Sequence, residues 1–131
     1  MHPVTAHVVW FDDLKRSDVA KVGGKNSSLG EMIQELGRQG VDVPPGFATT
    51  SDAYWHFIDE NQIRESIDKS IADWTAGKAS LSETGAAIRQ LFLRADWPAA
   101  TATAIVEAYR GLADRAGKPD VSVAVRSSAT A

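Results

Sequence analysis

The chain has 131 residues, 44% of them hydrophobic and 24% charged, with 14 basic and 17 acidic side chains and a formal net charge of -3. That balance excludes a fully disordered or fibrous protein, and mild acidity without a basic run gives no electrostatic basis for nucleic-acid or membrane-surface binding. The absence of cysteine excludes disulfides, Fe–S clusters, thiolate zinc sites and cysteine nucleophiles. No apolar run approaches the roughly 18 residues of a spanning helix. Met1 to Phe11 has no basic segment leading into an apolar one, so a secretory signal is not expected and a cytoplasmic location is.

Val8-Val9-Trp10-Phe11 is short, apolar and β-prone, and Asp12-Asp13 ends it; it reads as a strand. Next comes Val22-Gly23-Gly24-Lys25-Asn26-Ser27-Ser28, where two glycines free the backbone and Asn26, Ser27 and Ser28 can cap a helix. Leu29, Met32, Ile33 and Leu36 fall at i, i+3, i+4 and i+7 and predict an apolar helix stripe. Gly37 and Gly40 are candidate stops. Two prolines keep Val41–Pro45 extended, and Gly46–Thr50 reads as a short strand.

Ser51 or Asp52 is expected to cap a helix carrying Tyr54, Phe57 and Ile58. Ile63, Ile67, Ile71 and Trp74 define the next helix, which Gly77 breaks. Ile88, Leu91 and Phe92 lie on a third. Pro98 fits the first turn of a fourth, which carries Ala102, Ile105, Val106, Tyr109, Leu112 and Ala113 and stops at Gly117. Val121, Val123 and Val125 then share one face of an expected strand, Val121–Arg126. The pattern is α+β, with few and short strands and a helical block from Ser51 to Gly117 inserted between Gly46–Thr50 and the last strand. A strand that emerges so near residue 131 lacks edge partners, and on that ground the chain is expected to be part of something longer.

Two segments have the chemistry to meet an anion. At Gly23-Gly24-Lys25-Asn26, the unpaired N–H groups and dipole of a helix start attract phosphate and a lysine adds charge. The loop is not a Walker A motif, since Asn26 follows Lys25; a plain turn with a solvated lysine fits these residues too. At Arg126-Ser127-Ser128, a planar guanidinium can fork onto phosphate oxygens; a surface arginine paired with a carboxylate is the equal alternative. His2, His7 and His56 show no metal-ligand spacing on a helix, and His2 and His7 are expected in a frayed terminus. No catalytic residue and no metal ligand is assigned. Glu60, Glu65 and Asp68 read as a solvated face, and the tryptophans and tyrosines as packing residues.

Asp18-Val19-Ala20-Lys21-Val22-Gly23-Gly24-Lys25-Asn26-Ser27-Ser28-Leu29-Gly30-Glu31-Met32 resembles the N-terminal signature of the phosphoenolpyruvate synthase family. Val43-Pro44-Pro45-Gly46-Phe47-Ala48-Thr49-Thr50, with Asp52-Ala53-Tyr54, resembles its second signature. Glu107-Ala108-Tyr109 with Leu112, then Ala124-Val125-Arg126-Ser127-Ser128-Ala129-Thr130-Ala131, resembles a third. Pyruvate phosphate dikinase and rifampin phosphotransferase share this region.

The resemblance implies that residues 1–131 are the N-terminal portion of a partial ATP-grasp nucleotide-binding domain. The implied enzyme converts pyruvate, ATP and water to phosphoenolpyruvate, AMP and phosphate with Mg²⁺, through a phosphohistidine on a mobile domain. By motif match, Lys25 and Arg126 bind ATP phosphates, while Gly23 and Gly24 let the backbone approach the nucleotide. Mg²⁺ ligands, the phosphohistidine and the pyruvate site are expected in remaining domains outside this chain. Alone, the chain is expected to be inactive. A non-catalytic module, or a segment of an enzyme like rifampin phosphotransferase, is the alternative.

Overall fold

The computed structural model describes residues 6–130; His2 and Ala131 lie outside them. The described chain is mostly helical, with one two-stranded sheet. Strand β1 is Val8–Trp10 and β2 is Phe47–Thr49, paired antiparallel with Val8 opposite Thr49, Val9 opposite Ala48 and Trp10 opposite Phe47. The Trp10 and Phe47 rings meet at 5.7 Å, a cross-strand aromatic pair of the kind that fixes register. Short 3₁₀ turns at Phe11–Asp13 and Arg16–Asp18 lead into helix α1 (Val19–Val22) and α2 (Gly24–Arg38). After β2 come α3 (Ser51–Glu60), α4 (Arg64–Thr75), α5 (Leu81–Arg94) and α6 (Ala99–Ala116).

The chain forms two compact units, one running to Tyr54 and resuming at Ala99, the other spanning Trp55–Pro98. The separately clustered helical block is therefore shorter than the expected Ser51–Gly117 insertion. Helix α6 belongs with β1 because Trp10 lies against it: a Cβ on Gly111 would stand 3.2 Å from the Trp10 ring. Arg115 of α6 covers the same ring at 3.9 Å and pairs with Asp12 at 3.0 Å. His7 is also held, contrary to the expected fraying. Its carbonyl accepts from Thr50 N, and its Nδ1 lies 2.8 Å from Oγ1 of the buried Thr101.

In the first unit Leu14, Val22 and Ala48 form the buried cluster, with Val9 and Phe11 against it. The face of α2 that packs inward differs from the expected stripe. Ser27 and Gly30 are buried, whereas Met32 is 43% exposed. A Cβ on Gly30 would meet Leu14 Cβ at 2.5 Å and Phe11 O at 2.9 Å. Gln34 Nε2 donates to the carbonyls of Phe11 and Leu14. Close backbone approach requires the small residues on this face, and the long apolar side chains lie to its side.

The second unit packs Phe57, Ile58 and Ile63 with Ile67, Leu91, Phe92 and Ala95. Phe57 stacks on Phe92 at 5.6 Å and takes the Trp97 ring edge-on at 5.3 Å. Asn61 ties this unit together: its Nδ2 donates to the carbonyls of Phe57 and Asp96, and its Oδ1 accepts from Asp96 N at 2.9 Å. Packing accounts for the tryptophans only in part, since Trp55, Trp74 and Trp97 each keep large exposed areas. Glycines end α4 at Gly77 and α6 at Gly117, both at positive φ, as left-handed caps require. Ser80 and Glu83 form a reciprocal capping box at the start of α5. Thr50, rather than Ser51 or Asp52, caps α3, its Oγ1 accepting from Ala53 N at 3.2 Å. Pro98 immediately precedes α6 instead of lying in its first turn.

The expected strand Val121–Arg126 is absent. Residues 121–130 contain no helix, strand, turn or bend. A strand exists only by pairing, and among the described residues no backbone hydrogen bond reaches residues 122–127.

Candidate functional site

Gly23 closes α1 and opens α2. Its N–H donates to Val19 O at 2.7 Å, and its carbonyl accepts from Ser27 N at 3.1 Å. Doing both needs a sharp reversal, and Gly23 makes it at φ 86°, ψ 162°, a region essentially confined to glycine. The missing side chain has a second consequence. Ser128 Oγ occupies the space that a Cβ on Gly23 would fill, and Ala129 O lies 2.9 Å from the same point. The final segment is thereby seated on the start of α2. Gly24 N donates to Ala129 O at 3.1 Å, and Asn26 N donates to Ser128 Oγ at 3.4 Å.

These bonds satisfy two of the amides that a free helix start leaves open. The remaining attraction for an anion therefore rests more on side chains than the sequence suggests. Ser128 acts here as an acceptor that fastens the terminal segment, a role sequence reasoning missed. The signal was present in the paired glycines, which have room for another segment. Asn26 is also committed, its Nδ2 donating to Val22 O at 2.9 Å.

Lys25 and Arg126 are far apart in sequence, yet both line one concavity of about 370 Å³, with Asn26, Ser28, Leu29 and Met32. No carboxylate is among those lining residues, and both cations are exposed. Neither forms an ion pair among the described residues, so the carboxylate-paired alternative for Arg126 does not hold there. Two like charges beside one hollow repel each other and favour an anion between them. Leu29 and Met32, exposed in part because α2 buries its small face, supply an apolar wall. Gly23 and Gly24 underlie this wall as backbone and are not among its lining residues.

The other histidines and acids are placed elsewhere. His56 pairs with Glu60 at 2.9 Å along α3. Among the described residues no group of His, Asp or Glu is arranged to hold a metal ion, and no helix is long and apolar enough to cross a membrane. The second unit has a hollow of about 450 Å³ lined by Asn61, Ile63, Gln90, Leu91 and Arg94, among others. It brings one cation rather than two, and its Asn61 is already bonded to Phe57 and Asp96.

Lys25 and Arg126 thus border one hollow beside a glycine-led helix start, in a mainly helical domain of mixed α and β structure with one two-stranded sheet. A family model described as "Pyruvate phosphate dikinase, AMP/ATP-binding domain" matches residues 19–131, and the chain belongs to this family. It is similar to the phosphoenolpyruvate synthase of Synechocystis sp., with 47% identity over 99% of this chain and 16% of that protein. It is also similar to the phosphoenolpyruvate synthases of Neisseria meningitidis and Escherichia coli, with 45% and 44% identity, each over 95% of this chain and 16% of theirs. The chain thus spans about a sixth of the length of these curated relatives.

Proposed function

We propose that this chain supplies one wall of the ATP site of a phosphoenolpyruvate synthase-type dikinase, with Lys25 and Arg126 receiving the nucleotide phosphates. The observation that carries this reading is the convergence of these two cations, from segments a hundred residues apart, on one carboxylate-free hollow. Lysine offers a mobile point charge and arginine a planar fork; together they suit a polyphosphate whose charge shifts during transfer. Gly23 and Gly24 serve indirectly, by letting the segment that carries Arg126 lie on the start of α2. The family's AMP/ATP-binding description agrees with a nucleotide as ligand.

In this reading the domain is the N-terminal part of an ATP-grasp lobe. The overall reaction is that of the relatives' name, with pyruvate as acceptor and a phosphohistidine between ATP and pyruvate. Mg²⁺ neutralises phosphate charge in such chemistry. The hollow offers it no carboxylate, and in this reading carboxylate ligands come from other parts of the enzyme. In this reading residues 1–131 bind and orient, holding the phosphates from one side.

The test is a titration of the 131-residue chain with MgATP, followed by backbone and guanidinium NMR. The expected result is weak binding, because exposed cations act through screened attraction. The perturbed signals should centre on Lys25, Asn26 and Arg126. Lys25→Ala should weaken this binding, a charge-assisted contact contributing about 1.5–3 kcal/mol. Shifts that spare both cations, or binding unaffected by Lys25→Ala, would remove Lys25 from the site.

A further inference from the structure

Tyr109 stands on α6 with Ala108, Leu112 and Ala113, which are buried, and is itself half-buried. A phenylalanine ring would meet that packing equally well. The hydroxyl has a separate partner. It donates to the Val121 carbonyl at 2.8 Å, which ties the segment following α6 back to the helix. Helix α6 itself closes with Lys118 N donating to Ala113 O at 3.1 Å. Beyond that bond, the next hydrogen bonds among the described residues are at Val121 and then at Ser128 and Ala129, which accept from the Asn26 and Gly24 amides. Val121 and Ser128 are half-buried, whereas residues 122–127 between them are exposed. Arg126 is carried on that span.

We propose that Tyr109 is a positioning residue for Arg126: its hydroxyl holds the near end of the span whose far end is fixed at Ser128, and so keeps Arg126 at the hollow it shares with Lys25. This rests on the nucleotide reading of that hollow. With both ends held, residues 122–127 form a short closed bridge. Without the Tyr109 bond the bridge lengthens to residues 119–127, and a longer bridge samples more conformations. Arg126 then borders the hollow in a smaller share of them, and apparent affinity falls with that share. Loop closure alone makes this about a twofold loss. The net strength of one neutral hydrogen bond sets an upper bound of about tenfold. The tether acts through Arg126 alone, so it has no effect on binding once that side chain is removed. Lys25 is carried by α2 and does not depend on it.

The test titrates the 131-residue chain, Tyr109→Phe, Arg126→Ala and the double variant with MgATP, followed by NMR. In Tyr109→Phe the backbone order parameters of residues 122–126 should fall, and affinity for MgATP should drop about two- to tenfold. Amide exchange at Gly24 and Asn26 should stay slow, because α2 still holds Ser128 and Ala129. In the Arg126→Ala background the tyrosine substitution should leave affinity unchanged, a coupling that general support of the fold would not produce. Order retained at residues 122–126 overturns the proposal and leaves the nucleotide reading standing. So does order lost with affinity intact, or an equal loss of affinity in both backgrounds. Faster exchange at Gly24 and Asn26 in Tyr109→Phe overturns it too, since Tyr109 would then support the seating of Ser128 rather than the span. A chain that does not bind MgATP, or binds it indifferently to Arg126→Ala, overturns both.

Discussion

Ser128 Oγ fills the volume that a side chain on Gly23 would occupy, so the segment around Ser128 is seated on the start of α2. Gly23→Ala would overlap this oxygen and force alanine into a backbone region that costs about 1–3 kcal/mol for non-glycine residues. The expected outcome is release of residues 126–129 from α2 and a lower thermal midpoint. Hydrogen exchange at the Gly24 and Asn26 amides, which donate to Ala129 and Ser128, reads the release directly. Unchanged protection there would show that the seating does not depend on the glycine.

Arg126 separates charge from geometry. Arg126→Lys keeps the positive charge at the hollow but loses the planar fork. If phosphate contact is bidentate, affinity for MgATP should fall by a large part of what Arg126→Ala loses. Parallel titrations of the two variants give the comparison. Full retention in the lysine variant would reduce Arg126 to general positive potential.

In the second unit Asn61 ties the end of α3 to the segment after α5. Asn61→Ala removes its bonds to Phe57 and to both backbone groups of Asp96. A destabilisation of about 1–3 kcal/mol is expected, chiefly from backbone groups left without partners. Thermal or urea unfolding measures it. Affinity for MgATP should be unchanged, because none of these residues lines the Lys25–Arg126 hollow.

Asp73 titrates below its ordinary value of 3.8, first because Lys69 hydrogen-bonds its carboxylate and then through the charges of Lys69 and Lys78, with desolvation acting in the opposite sense. The lowered value means that this interaction favours the folded chain above the ordinary carboxyl range. It is lost as pH falls through the folded value. In Lys69→Met the Asp73 midpoint, followed by carboxyl NMR, should move up towards the ordinary value. Added salt should reduce the difference between the two proteins, since the pair is exposed. A midpoint indifferent to the substitution would assign the shift to another cause.

Much of the local structure was legible in residue order. Helices α2 to α6 follow from 3.6-residue periodicity, and Gly77 and Gly117 stop α4 and α6 because they accept positive φ. Val8–Trp10 and Phe47–Thr49 declare themselves by β-branched and aromatic residues next to turn formers. Lys25 and Arg126 were likewise identifiable as the cations of two motifs. These features depend on neighbours within a few positions, which residue order contains directly.

Tertiary structure alone decided which segments meet. It paired β1 with β2 and drew α6 to Trp10, leaving the smaller Trp55–Pro98 unit to cluster by itself. It turned α2 so that Ser27 and Gly30 face Leu14, because close backbone packing there outweighed the Leu29–Met32 stripe. Among the described residues it gave Val121–Arg126 no strand partner despite strong β propensity, since a strand needs a neighbouring edge that no local pattern supplies. It also placed Ser128 on Gly23, bringing Lys25 and Arg126 to one hollow. Periodicity and capping are local properties of a sequence; the convergence of two distant cations is a property of how the chain packs.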